Sequence, residues 1–384
     1  MAVGVWVRRG TAHEDPAQRG IAHLLEHMVF KGTRRRSALE LAADVERTGG
    51  SVDAYTTHEH TSFQVRVPAD HLGLGMDVLS DLVFSPTLSG SDLGLERRVV
   101  LEEIARVEDT PDDLVFELHS EFLYGGHPYG SPILGTRETV TAIERADLVM
   151  LHEVSYRPEN LLVAVAGQVD HEELVERVQR LWPAASDPLP PAPVPPLGRL
   201  ATGRRRVHRE GGRQAHIVVG GRGLPHGDPL RHASIVVAQA LGGGMSSRLF
   251  QRIREERGLA YAVFSFQASY ARGGHVGAYV GTRPDSARDA LDALIEELTI
   301  LSRDGLASEE LAEAREQIKG QILLSLESPA ARMHRLAATA LYDEPYRPLD
   351  ELADLIDGIG PEEARRASSL YDPQGVAILE LYPA

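Results

Sequence analysis

Residues Gly20 to Gly32 read GIAHLLEHMVFKG, and the periodicity of this stretch governs how the sequence around it is read. Ile21, Leu24, Leu25, Met28 and Val29 recur at i, i+3, i+4, i+7 and i+8, the stripe of a helix packed on a core. At about 100° per residue, His23 and His27 lie about 40° apart on the side away from that stripe. A core role therefore does not account for them. A solvated polar face would tolerate such a pair, but two imidazoles one turn apart can also ligate a tetrahedral metal. Glu26, likewise off the stripe, stands where it could polarise a water at that metal. His-x-x-Glu-His is the inverted zinc motif, and it predicts a zinc site that still needs a third protein ligand.

Gly94 to Glu108, GLERRVVLEEIARVE, supplies candidates for that ligand. Val99, Val100, Ile104 and Val107 form the apolar stripe of a helix, and Glu96 and Glu103, one heptad apart, project within it, about 20° from each other. Glu102 points instead to the side shared with Arg98 and Arg106. Carboxylates inside an apolar stripe are costly unless a cation compensates them, either a metal or a buried arginine. The metal reading makes Glu103 the third ligand. It leaves Glu96 as a supporting or alternate carboxylate, counted with Glu26 among the catalytic ones.

These residues carry a resemblance. His23-Leu24-Leu25-Glu26-His27, followed 76 residues after His27 by Glu103 with Glu96 one heptad earlier, resembles the pitrilysin family of zinc peptidases. The likeness is to the branch holding mitochondrial processing peptidase and its bacterial relatives. GIAHLLEHMVFKGT and GGSVDAYTTHEHTSF both read like that branch, and the likeness covers nearly the whole chain. It implies zinc held by His23, His27 and Glu103, with Glu26 taking a proton from a water. It also implies a substrate-pairing edge strand near Ala54; Asp53-Ala54 stands where many members have Asn-Ala. His58 and His60, on one face of that expected strand, have metal-competent spacing too. A polar hairpin face suffices for them, since Glu103 completes the site.

In the second half, Leu241 to Phe266 reads LGGGMSSRLFQRIREERGLAYAVFSF. Ser246 or Ser247 can cap a helix, and Gly258 ends it before a strand from Leu259 to Phe266. Gly242-Gly243-Gly244 has no following Gly-Lys-Ser/Thr, so it does not read as a phosphate cradle. By residue type alone, Arg254 belongs to a salt-laced helix face with Glu255, Glu256 and Arg257, and Tyr261 is a half-buried strand residue. The resemblance implies more. Arg254 and Tyr261 match the Arg and Tyr, seven apart, with which the family's second domain grips the substrate backbone beside the metal.

Composition sets the outer bounds. A chain of 384 residues suggests two or three domains. A net charge of −16 argues against nucleic acid or anionic membrane as partners, and no stretch is apolar enough to span a bilayer. With no cysteine, a transition metal must be held by histidine and carboxylate, and a reducing cytoplasm suits the chain. Pro183 to Pro196, with seven prolines in fourteen residues, predicts an extended spacer between near-equal halves. Each half reads as a strand, helices, a two-strand unit (Ser51 to Val67; Leu259 to Thr282 with a turn at Gly273-Gly274), long helices and a closing strand, as after a duplication.

The expected architecture is α+β. A zinc-binding catalytic domain spans 1–182, a linker 183–196 and a homologous substrate-gripping domain 197–384, each domain a mostly antiparallel sheet packed with helices, the two forming a clamp. The expected activity is zinc metalloendopeptidase action on flexible or unfolded polypeptide, by a self-sufficient chain or a homodimer. Two rivals are a non-catalytic scaffold subunit of the same fold and a zinc hydrolase of small molecules. Family members carry some tens of residues, including a strand, ahead of the point matching Met1. The expectation is either a misassigned start or a sheet edge left unpaired.

Overall fold

The run AVGVWV lacks any polar alternation, and burial on both faces explains why: it forms β1 (Ala2–Val7), inside a sheet covered on each side. The structure is a computed structural model and describes residues 1–183 and 193–384. β1 runs antiparallel between β3 (Thr61–Arg66) and β4 (Leu161–Ala166), with Val5 opposite Phe63 on one side and Val163 on the other. β2 (Ser51–Thr56) pairs with β3, so the order is β2-β3-β1-β4 and β2 is an edge strand. Val3, Val5, Val7, Phe63 and Val65 pack with Leu24, Leu25, Met28 and Val29 of the helix Ile21–Val29. Each such side chain contributes about 1.5–3 kcal/mol when buried, which seats the motif helix firmly on the sheet.

On the opposite face Ala2, Trp6, Ala164 and Ala166 pack with Met333 and Ala337 of the helix Pro329–Leu341. Gly4 is needed there, because a Cβ would stand 2.6 Å from the Trp6 ring. Arg8 anchors the end of that helix by donating to the carbonyls of Ala340 and Leu341 at 3.0 and 3.1 Å.

The second sheet has the order β5-β9-β6-β8-β7, from β5 (Gly203–Arg209), β6 (Ala215–Gly223), β7 (Ala262–Tyr270), β8 (Gly273–Thr282) and β9 (Val376–Pro383). Its run β7-β8-β6-β9 repeats the antiparallel pairing of β2-β3-β1-β4 strand for strand, and β5 is added parallel to β9. The fold is thus α+β with a repeated, mostly antiparallel sheet.

The compact units are not the two sequence halves. The first comprises Met1–Ala105, Ser131–Val194 and Ser325–Pro345; the second comprises Arg106–Gly130, Pro195–Leu324 and Tyr346–Ala384. This corrects the division at 182 and 197. Each sheet has a second apolar face, and a helix from the other half of the sequence covers it: Pro329–Leu341 in the first unit, and in the second Pro111–Tyr124, whose Leu114 and Val115 meet Val218 and Leu379. Residues 184–192, most of the expected spacer, lie outside the described residues.

Smaller expectations also change. Tyr270 pairs with Gly273, so the chain reverses at Ala271-Arg272 rather than at the glycines. His58 and His60 lie in the connection between β2 and β3, not on a strand face, and His58 Nδ1 contacts Thr11 Oγ1 at 3.0 Å. Among the described residues no helix is long and apolar enough to cross a membrane.

Candidate metal centre

The motif helix begins at Gly20, whose φ of +90° and close approach to the Leu134 carbonyl leave no room for a side chain. Glu14 caps it, accepting from Gly20 N at 2.9 Å and Ala22 N at 2.8 Å. With the apolar stripe held in the core, His23 and His27 turn to one side of the helix, ring centroids 4.7 Å apart. The helix Gly90–Glu108 brings Glu103 to the same place. Glu103 Oε2 lies 3.7 Å from His23 Nε2 and 3.6 Å from His27 Nε2.

Zinc bonds of about 2.0–2.1 Å at tetrahedral angles set ligand atoms about 3.3 Å apart. The two spacings from Glu103 lie within a few tenths of an ångström of that, and among the described residues these three form the one such cluster, all ligand atoms within 4.8 Å of each other. Burial, then the neighbouring His27, pushes His23 down to about 4, so its ring is neutral at pH 7, as a metal ligand must be. His23 Nδ1 is itself buried without a hydrogen-bond partner. The donor set fits zinc.

Glu96 is 5% exposed and stands behind His27: its Oε2 lies 3.1 Å from His27 Nδ1 and its Oε1 2.7 Å from Lys31 Nζ. A carboxylate accepts, so Nδ1 carries the proton and the Nε2 lone pair is left for the metal. Each Glu96 oxygen thus has a partner, Oε2 on His27 and Oε1 on Lys31, and the carboxylate meets the three-residue cluster through His27. Glu102 is exposed, on the other side of its helix from Glu103. Val99, expected in the apolar stripe, is exposed as well; the buried stripe is Leu93, Glu96, Val100 and Ile104.

Glu26 is buried, and Thr56 Oγ1 donates to its Oε2 at 2.5 Å. Burial pushes the Glu26 carboxyl above the usual range and the Thr56 hydroxyl opposes the shift. Ala54 lies on the edge strand β2 opposite Phe63, and the neighbouring Asp53 turns its Oδ1 onto Ala54 N at 2.9 Å. In the second unit, Arg254 and Tyr261 do come together. The guanidinium lies 5.7 Å from the Tyr261 ring centre and 4.6 Å from that of Phe250. Tyr261 precedes β7 and is 76% exposed, so it is not the half-buried strand residue that its sequence neighbourhood suggests.

Thr56 and Lys31 escaped the sequence reading. Neither has a periodicity that marks it: Thr56 ends a strand and Lys31 falls just past the motif helix.

The family model described as insulinase, peptidase family M16, matches residues 1–137, and that of the peptidase M16 inactive domain matches residues 142–318. A Bacillus subtilis protein named an uncharacterized zinc protease is 37% identical over 384 residues, 100% of this chain and 93% of its own length. One of the same name from Streptomyces coelicolor is 37% identical over 368 residues, covering 94% and 80%. The crystal structure of a peptidase M16 inactive domain from Pseudomonas fluorescens shares the fold, with a TM-score of 0.91, 20% identity and 100% and 92% coverage. A protease from Helicobacter pylori does so with a TM-score of 0.88, 21% identity and 100% and 93% coverage.

Proposed function

We propose, from the premise that this chain belongs to the M16 (insulinase) peptidase family of pitrilysin-type zinc proteases, that it is a zinc metalloendopeptidase cleaving flexible or unfolded polypeptide. The observation that carries this is the convergence of His23, His27 and Glu103 within 4.8 Å, with Glu26 on the same helix. When bound by these three, zinc supplies a Lewis acid that polarises the scissile carbonyl and lowers the pKa of water. Glu26 accepts the proton of the attacking water and returns it to the leaving amine. Glu96 keeps His27 in the tautomer that offers Nε2.

The edge strand β2 around Ala54 takes extended peptide by main-chain hydrogen bonding, which favours unstructured substrate. Arg254 and Tyr261 serve as substrate-holding groups of the second unit. Peptide is the partner, with no role for nucleic acid or membrane at a net charge of −16, and the setting is cytoplasmic, as a single chain or homodimer. A non-catalytic scaffold would not need the ligands together with the Glu26 carboxylate. Metal analysis with hydrolysis of an unstructured peptide decides between them. Equimolar zinc and turnover abolished by Glu26→Gln are expected; zinc-loaded protein that cleaves no peptide would refute the peptidase reading.

A further inference from the structure

We infer that Thr56 is a positioning residue for the base Glu26, an assignment that rests on the peptidase reading above. Thr56 is the last residue of β2 and is 8% exposed; Glu26 is equally sequestered on the motif helix. Their contact, 2.5 Å from Thr56 Oγ1 to Glu26 Oε2, joins residues 30 apart in sequence. Thr61, opposite Thr56 in the β2–β3 register, explains where the hydroxyl proton goes. Thr61 Oγ1 donates to the Arg9 carbonyl at 3.2 Å and lies 3.4 Å from Thr56 Oγ1. The shorter, charge-assisted partner for the Thr56 proton is therefore Glu26.

Two consequences follow for the base. The bond fixes the carboxylate plane, since a buried carboxylate held at one oxygen by a β-branched side chain has few rotamers left. It also engages a lone pair of Oε2, which leaves Oε1 the more basic of the two oxygens. A base aimed by a fixed donor loses less orientational freedom in the transition state. The hydroxyl gives this aim through Glu26 Oε2.

The test compares Thr56→Val, which keeps the shape and removes the hydroxyl, with Thr56→Ser, which restores it. In the zinc-loaded full chain, Thr56→Val should hold equimolar zinc and an unchanged KM while kcat on an unstructured peptide falls roughly 10- to 100-fold. Thr56→Ser should recover kcat to within a few-fold. An unchanged kcat in Thr56→Val, equal losses in both variants, or a raised KM alone would overturn the assignment. A second measurement is independent of turnover. Thr56→Val should lower the urea midpoint in the native background and not in Glu26→Ala; additive shifts would refute the pairing. Should the unmodified protein bind zinc and cleave nothing, the peptidase reading fails on that control, and the assignment to a base falls with it.

Discussion

Replacing Glu96 with glutamine should weaken zinc binding while leaving all three ligands in place. Glu96 is 5% exposed, with one oxygen 3.1 Å from His27 Nδ1 and the other 2.7 Å from Lys31 Nζ. A glutamine of the same shape has one acceptor and one donor group for those two partners. If its oxygen faces His27, its NH2 meets the Lys31 ammonium, donor against donor. If it flips, its NH2 faces Nδ1 and favours the tautomer with a proton on Nε2, the nitrogen needed by the metal. Either arrangement loses a hydrogen bond to a charged group, and loss of such a partner behind a histidine ligand costs about 10- to 100-fold in metal affinity. That is about 1.4–2.7 kcal/mol. Competition against a chromogenic chelator measures it directly, with circular dichroism as the check on folding. Glu103→Ala, which deletes a ligand, should lose more, and Glu102→Ala, on the exposed side of the same helix, should lose nothing. Zinc affinity in Glu96→Gln within twofold of the unmodified protein, or equal losses at Glu102 and Glu103, would refute the reasoning.

Glu26→Gln should retain zinc and lower kcat by roughly 10²- to 10⁴-fold, whereas His23→Ala should lose the metal; peptide assays with metal analysis separate the two. Arg254→Ala and Tyr261→Phe should leave zinc content unchanged and reduce kcat/KM by roughly 10- to 1000-fold, measured on an unstructured peptide. In the second unit, burial pushes His119 down to about 4, with its Nε2 3.2 Å from the Ala377 carbonyl. An unfolded histidine titrates near 6.5, so the unfolded chain binds the extra proton first as pH falls. His119 therefore disfavours folding progressively from about pH 6.5 down to about 4, by an order of 3 kcal/mol in all, and has no effect above. Urea midpoints at pH 7 and 4.5 should diverge less in His119→Asn than in the unmodified protein.

Much of the site was legible in one dimension. Helical periodicity alone separated His23 and His27 from the buried stripe, and helical phase separated Glu103 from Glu102, because both arguments need only the geometry of one helix. The same phase argument misplaced Val99, which is 43% exposed, since a stripe read from residue type cannot show where its packing partner stops. The two-strand units and the repeated order of elements were also local matters of alternation and turns. What the chain's linear order does not contain is which sheet a helix will cover. Pro111–Tyr124 and Pro329–Leu341 each show an apolar face, yet each lies in the unit built mainly from the other half of the sequence. The contacts around the cluster are of the same kind: Thr56 to Glu26, and Glu96 between His27 and Lys31, join residues 30 to 69 apart. A hydrogen bond across that distance depends on how helix and sheet settle on a shared core, and only the tertiary structure decides it.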